Sequence, residues 1–228
     1  MTGRGVYVAF EGIDTSGKTS QARLLADRLG ALATREPGGT ALGEAMRQVL
    51  LHDEHLELTD RAEALLFAAD RAQHVALVVE PALASGRHVV TDRSYGSTLA
   101  YQGYGRGLPL DRLHDLVAWA STTGSAAGPP QVLLPDVVVL LEISEDEMRR
   151  RMSDRPDRIE SEPGEFLQRV AEGFRRLASA DEARWRRVDA DGTPEDVAER
   201  VWAALADGPG AAALASAAQP SRPAATSS

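Results

Sequence analysis

The chain contains no cysteine, which excludes disulfides, thiolate metal sites and a cysteine nucleophile. It has almost no lysine: of 25 basic residues only Lys18 is not arginine. It has no apolar run long enough to span a bilayer, since "VLLPDVVVLLEI" is broken by Pro135 and Asp136. Its start, "MTGRGVYVAFEG", passes from a short apolar run straight into an acidic, glycine-bearing turn, so no signal peptide is expected. No membrane partner is therefore expected, and the expected location is cytoplasmic. Excess positive charge is missing too: the formal net charge is −9, which argues against a broad nucleic-acid footprint and leaves room only for a local basic pocket.

What is present suits a folded enzyme-sized domain. The 228 residues are 43% hydrophobic and 26% charged, enough for a sizeable core in one domain. Short β-branched runs, "GVYVAF", "RHVVTD" and "DVVVLLEI", read as buried strands, with "ALAT" and "RWRRVDA" as shorter ones. Between them lie helical patterns: residues 18–29 ending at Gly30, "ALGEAMRQVLL", a long stretch from Thr59 to about Ser85, "LPLDRLHDLVAWAS", a helix from about Ser144, "EFLQRVAEGFRRLAS" and "TPEDVAERVWAALA". Thr59 is placed to cap the long helix, Gly86 to stop it, and Pro81 to kink it. Strands alternating with helices predict an α/β fold with a mainly parallel sheet flanked by helices in three layers. The domain is expected over residues 1–206. Residues 207–228, rich in Ala, Pro and Ser without periodicity, are expected to be a disordered tail.

The stretch "FEGIDTSGKTS" holds the single lysine. Gly12-x4-Gly17-Lys18-Thr19 matches the P-loop pattern between a predicted strand and a predicted helix, the context that the motif requires. The alternative is a glycine-rich turn without a ligand. In a P-loop, residues Gly12, Ile13, Asp14, Thr15, Ser16, Gly17, Lys18 and Thr19 wrap the phosphates of ATP. Glycines let backbone N–H groups approach the oxygens, the helix start points its positive end at them, and Thr19 offers a hydroxyl to Mg²⁺. Lys18 supplies a compact charge that the planar arginine fork does not reproduce, which accounts for one lysine in an arginine-rich chain. A P-loop GTPase needs an Asn-Lys-x-Asp element to read guanine, and this chain contains no asparagine. A mechanical ATPase needs more chain, so small phosphoryl-transfer enzymes lead.

Behind the P-loop come "TREPGGT" (34–40), "LLFAADR" (65–71), "TDRSYGSTLAYQGYGRG" (91–107) and "DRIE" (157–160). Together, over about residues 5–205, these resemble bacterial thymidylate kinase. The resemblance implies a P-loop NTPase-type fold and transfer of the γ-phosphoryl of ATP to dTMP with Mg²⁺, a step of dTTP synthesis by de novo and salvage routes. It also implies a homodimer. By position it implies that Phe67 stacks on thymine and Arg71 bonds its O4 edge. Thr98 and Gln102 lie near N3 and O4, and Tyr101 lies against the deoxyribose. Arg93 holds the dTMP phosphate, with Arg47 in support. Asp14 and Glu36 serve the 3′-hydroxyl or its water shell, and Asp92 lies near the Mg²⁺ shell. From the residues alone, Phe67 reads equally as core, and Asp92-Arg93 as a surface ion pair. Arg71 lies four residues past Phe67, hence on the same helix face. The five histidines show no metal spacing.

"RRRMSDRPDRIESEP" (149–163) is expected to be a lid that delivers an arginine to the transferring group. With Thr15 and no arginine inside the P-loop, the chain resembles the lid-arginine subgroup. Arg151, Arg155 and Arg158 are the candidates. Glu142 stands where many relatives have aspartate, so its place near Mg²⁺ stays open, and Pro156 stiffens the segment that should move. Two other functions remain to be set against dTMP kinase: a kinase for another monophosphate such as dUMP, and a nucleotide-binding regulatory module without turnover.

Overall fold

Five short strands form one sheet: β1 (Tyr7–Glu11), β2 (Leu32–Arg35), β3 (Val89–Asp92), β4 (Val137–Glu142) and β5 (Trp185–Asp189). In this computed structural model, residues 4–53, 56–124, 129–151, 157–159, 161–207 and 210–218 are described. The strand order is β2-β3-β1-β4-β5, and every pairing is parallel. Parallel neighbours need crossovers that cover both faces of the sheet. That is why β1 and β4 are apolar with almost no alternation and are buried from Tyr7 to Phe10 and from Val137 to Leu141.

The helices are α1 (Lys18–Leu29), α2 (Ala41–Arg47), α3 (Asp60–His74), α4 (Glu80–Ala84), α5 (Tyr95–Thr98), α6 (Leu110–Ala120), α7 (Glu145–Arg151), α8 (Gly164–Ala180), α9 (Pro194–Leu205) and α10 (Ala211–Ala217). One core packs Val8, Phe10, Val137, Val139 and Leu141 against Leu25 of α1 and Val197 and Val201 of α9. The opposite core packs Val138 and Leu140 against Leu99, Leu113, Phe166 and Phe174. The expected three-layer α/β arrangement is thus the fold observed.

β1 is central, with β2 and β3 on one side and β4 and β5 on the other. Such a reversal of strand order opens a crevice at the carboxyl ends of the strands, where ligands bind. The register pairs Phe10 with Asp92 and Glu11 with Leu140, so the loop after β1 and the end of β3 emerge side by side.

Two local expectations needed adjustment. The Thr59 side chain does cap α3, accepting from the Ala62 N–H at 3.4 Å. The long helix runs through as expected but is not α-helical throughout: a π-helical turn at Val75–Val79 joins α3 to α4. Pro81 has no N–H to give, and the wider turn just ahead of it accommodates the missing bond. Residues Tyr95–Gly105, to which the sequence pattern assigns no element, are helical: α5 runs on into a π-helical segment, Leu99–Gly105. The expectation of a structureless stretch after residue 206 fails for Ala211–Ala217, which form α10 and bury Leu214 in the first core.

Candidate active site

Gly12 opens the loop after β1 with φ of 141°. A Cβ there would lie 2.5 Å from the Leu141 carbonyl oxygen of β4, so backbone meets backbone and only glycine fits. Gly17, with φ of 89°, turns the chain directly into α1. Thr15 also takes a left-handed φ of 67°, which costs a β-branched residue roughly 1–3 kcal/mol and marks functional loops. The loop folds back over Lys18, whose ammonium is buried and donates to the Ile13 carbonyl at 2.7 Å and to Ser16 Oγ at 3.4 Å. Burial, reinforced by the nearby Arg93 guanidinium, lowers the Lys18 pKa to about 8. A cation held so poorly compensated is set to receive an anion.

Thr19, in the first turn of α1, donates its hydroxyl to Asp92 Oδ2 at 2.5 Å. Asp92 Oδ1 is buried with no hydrogen-bond partner. A hydroxyl and a carboxylate with a spare oxygen are hard-oxygen donors of the kind that Mg²⁺ takes. Among the described residues no group of three or more His, Cys, Asp or Glu side chains could hold a metal.

Next to the loop is a cavity. All nine residues that the resemblance assigns to dTMP lie on its wall. Its end nearest the P-loop is cationic. Arg93, itself at a left-handed φ of 70°, donates to the Gly12 carbonyl at 3.2 Å, to Ser97 Oγ at 3.0 Å and to the Asp14 carboxylate. Asp14 also accepts from the Tyr101 hydroxyl at 2.8 Å. Burial alone would raise the pKa of Asp14, but Arg93 and Lys18 outweigh it and hold the carboxyl below its usual range. Arg47 donates to the Pro37 carbonyl at 3.1 Å. Its pKa is lowered by burial and then by the like charges of Arg35 and Arg93. An arginine held below its usual range by burial and like-charged neighbours is a ready seat for a phosphate.

The far end is built on α3. Phe67 and Arg71 share one face and both line the cavity, as the four-residue spacing predicts. Arg71 is fixed from behind by Glu36 Oε2 at 2.9 Å and donates to Thr98 Oγ1 at 2.9 Å. The other Glu36 oxygen meets His74 Nδ1 at 2.9 Å, and His74 Nε2 meets Thr34 Oγ1 at 2.7 Å. Both Glu36 oxygens are therefore engaged in orienting Arg71 and His74. Burial opposes ionisation of Glu36, yet Arg71 and His74 prevail and its pKa is lowered.

Sequence reasoning missed several groups here. Asp70, next to Arg71, accepts from the Gly38 N–H at 3.0 Å and has Oδ2 buried and unpartnered. Burial and then the Glu36 charge push its pKa up to about 7. Glu11 accepts from the N–H groups of Ser94 and Ser97, both at 3.0 Å, and from Ser97 Oγ at 2.6 Å. Burial raises it to about 7. It pins the start of α5 and so aims the helix that carries Thr98, Tyr101 and Gln102. An acidic residue closing an otherwise apolar strand was the available signal. His74, assigned nothing from sequence, was given away only by its place three residues after Arg71.

The three lid candidates separate. Arg151 donates to the Ala190 and Gly192 carbonyls at 3.0 and 3.1 Å. It lines a second cavity with Thr15, Gly17, Gln21 and Pro194, on the side of the P-loop away from the first. Arg158 donates to Glu63 at 2.6 Å and to the Leu50 carbonyl at 2.8 Å, behind the first cavity. Arg155 lies outside the described residues. Glu142 is engaged by Arg175 at 3.3 Å and Arg187 at 2.7 Å, which gives its carboxylate a surface role beside β5.

The family model "Thymidylate kinase" matches residues 10–201. A thymidylate kinase of Synechococcus sp. (strain RCC307) is 49% identical over 210 residues, covering 87% of this chain and 94% of that protein. One from Desulforudis audaxviator (strain MP104C) is 45% identical over 206 residues, covering 87% of this chain and 89% of that protein. Among solved structures, the crystal structure of thymidylate kinase from Ehrlichia chaffeensis superposes with a TM-score of 0.69 at 30% identity, covering 89% of this chain and 99% of that one.

Proposed function

The chain belongs to the thymidylate kinase family and carries out ATP-dependent phosphorylation of dTMP to dTDP, and from that premise we propose how its residues divide the work. The cavity between the P-loop and α3 takes dTMP, with its phosphate at Arg93 and Arg47 and its base between Phe67 and Arg71. The P-loop takes the phosphates of ATP, and the cavity walled by Arg151 and Pro194 takes its nucleoside. The observation that carries this reading is Arg93: one guanidinium lines the dTMP cavity and is bonded to Gly12 and Asp14 of the P-loop. It thereby ties the acceptor phosphate to the donor loop.

In the reaction an oxygen of the dTMP phosphate attacks the γ-phosphorus of ATP. The bond to the β–γ bridging oxygen breaks, and ADP leaves. The protein's task is to bring two anions into line and to stabilise the charge that spreads over the transferring group. Arg93 and Arg47 hold the acceptor, and Lys18 and the loop N–H groups hold the donor. Arg71 and Phe67 fix the base, so that the acceptor oxygen does not wander. Thr19 and Asp92 would hold Mg²⁺, which when bound neutralises phosphate charge. We assign the protein to the cytoplasm and to a homodimer, the latter through the exposed Leu65, Leu77 and Trp119 of the α3–α6 side; sedimentation checks it. The opposite face of "HVALVVEPALA" serves the chain's own core, where Val75, Val79 and Leu83 are buried.

An assay for ADP release that depends on dTMP tests the site. Phe67→Ala should raise KM for dTMP at least tenfold and leave KM for ATP unchanged, and Arg93→Ala should abolish turnover. If Phe67→Ala left KM for dTMP as it was, this cavity would not be the dTMP site.

A further inference from the structure

Glu63 lies in the first turn of α3, four residues ahead of Phe67 and one helical turn along the same face. It is 1% exposed. Its carboxylate accepts from Gln102 Nε2 at 2.8 Å, from Arg106 at 3.2 and 3.3 Å and from Arg158 at 2.6 Å. Burial opposes its ionisation, but these donors outweigh burial and hold it charged. One carboxylate thus gathers α3, the helical segment after α5 and the 157–159 segment. Asp157 and Ile159, on either side of Arg158, are walls of the dTMP cavity.

An ionised carboxylate only accepts hydrogen bonds. Gln102 must therefore turn its NH₂ toward Glu63, which leaves its amide oxygen as the group that it offers to the cavity. Thymine carries an N–H at N3, whereas cytosine carries a bare acceptor there. We propose that Glu63 is a positioning residue for base choice: it locks the Gln102 amide with its oxygen toward the base, so that a ring N3–H is accepted and a ring lacking it is refused. Through Arg158 the same carboxylate seats the 157–159 wall against the monophosphate. The proposal rests on the reading of this cavity as the dTMP site.

A purely structural ion cluster would affect stability or overall rate, and not the choice between bases. The test measures kcat/KM for dTMP and dCMP. Glu63→Gln replaces an obligate acceptor with an amide that permits either orientation of Gln102. It should lower the dTMP/dCMP ratio about tenfold, with most of the loss in KM for dTMP and none in KM for ATP. Glu63→Asp keeps the charge for the arginines but is too short for Gln102; it should lower the ratio likewise and covers the case in which Glu63→Gln does not fold. In a Gln102→Ala background Glu63→Gln should change the ratio no further, because the effect runs through that amide. Arg158→Gln should raise KM for dTMP with the ratio kept. If Gln102→Ala lowers the ratio but neither Glu63 variant does, the positioning role is overturned and the pocket stands. If Gln102→Ala leaves the ratio unchanged, Gln102 does not read N3 and this inference falls, whereas the pocket reading itself falls only if Phe67→Ala leaves KM for dTMP as it was.

Discussion

The hydroxyl of Thr19 and the carboxylate of Asp92 meet at 2.5 Å across the mouth of the sheet, although 73 positions separate them in the chain. Parallel pairing of β1 with β3 makes this meeting unavoidable. Phe10 is level with Asp92, and the loop that starts two residues later returns Thr19 to the same edge. The second Asp92 oxygen is left buried without a partner.

From that pair follows a metal prediction. Asp92→Asn removes the charge but keeps the size and a donor–acceptor end. The Mg²⁺ concentration for half-maximal rate should rise at least tenfold, with partial recovery of turnover at high Mg²⁺. Titrating Mg²⁺ at fixed ATP and dTMP checks it. An unaltered Mg²⁺ requirement would remove Asp92 from the shell.

Lys18 should tolerate no substitution. Lys18→Ala should lose most phosphoryl transfer and keep the fold nearly intact, since the ammonium serves the loop and not the core. Lys18→Arg should fail too: the buried ammonium sits 2.7 Å from the Ile13 carbonyl as a compact point charge, which a planar fork does not reproduce. Steady-state rates and melting temperatures of both variants decide. Wild-type turnover in Lys18→Arg would refute the explanation given for the lone lysine.

The same lysine predicts a pH dependence. Its folded pKa of about 8 lies below the ordinary lysine range. Above pH 8 the free enzyme therefore carries a neutral amine, whereas ATP binds the ammonium. Nucleotide affinity should be flat below pH 8 and fall above it, approaching about one decade per pH unit. Binding there should take up a proton, which calorimetry in buffers of different ionisation enthalpy reads directly. Stability of the free protein has the opposite sign: between about pH 8 and 10.5 the unfolded chain holds the extra proton, so unbinding it favours the fold as pH rises. Flat affinity from pH 8 to 9.5 would contradict the assignment.

The P-loop was legible because its chemistry is local: eight consecutive positions supply the glycines, the charge and the hydroxyl. The parallel fold was legible for a similar reason, since strands buried on both faces show as unbroken apolar runs such as 137–141. Arg71 beside Phe67 followed from helix spacing. Glu63 and Glu11 did not stand out, because their partners lie at distances such as 39 and 83 residues along the chain and a lone glutamate looks like solvated surface. The helix over Tyr95–Gly105 was hidden by its glycines at 96, 103 and 105. All three are there for packing: a Cβ on Gly96 would meet Trp185 at 2.7 Å, one on Gly103 would meet Leu110 at 2.5 Å, and one on Gly105 would meet Phe166 at 2.6 Å.

The tail was misjudged by composition, and its test changes accordingly. Leu214 is 1% exposed and packs in the core beneath β1. Gly210 presses on Val6, where an added Cβ would lie 2.9 Å away. Removing residues 208–228 should now lower the melting temperature, and Leu214→Ala in the full chain should cost roughly 2–3 kcal/mol, the low end for a buried leucine. Turnover at low temperature should persist, because the site lies at the opposite ends of the strands. Equal melting temperatures for the truncated and full chains would show that α10 adds nothing.

The last prediction concerns Arg71 and the base. Its guanidinium is held by Glu36 on one side and by Thr98 on the other, and it has only donors to turn toward the cavity. Thymine offers O4 to those donors, whereas cytosine offers an amino group that needs an acceptor. Leaving a polar group unpaired in a closed pocket costs about 1–3 kcal/mol, or roughly one to two decades in kcat/KM, so dTMP should be used far better than dCMP. The lack of the 5-methyl group in dUMP costs on the order of 1 kcal/mol, so dUMP should be a poor but detectable substrate. Arg71→Ala would strip Glu36 of its countercharge in the interior and should destabilise the fold by about 3–5 kcal/mol. Arg71→Gln is the cleaner variant: its amide can still donate to Glu36 and can also present an oxygen to the base. It should cut the dTMP/dCMP ratio by one decade or more while KM for ATP stays within about twofold. Measuring kcat/KM for dTMP, dUMP and dCMP on wild type and variant decides, and equal use of dCMP and dTMP by the wild type would overturn the thymine-reading role of this face of α3.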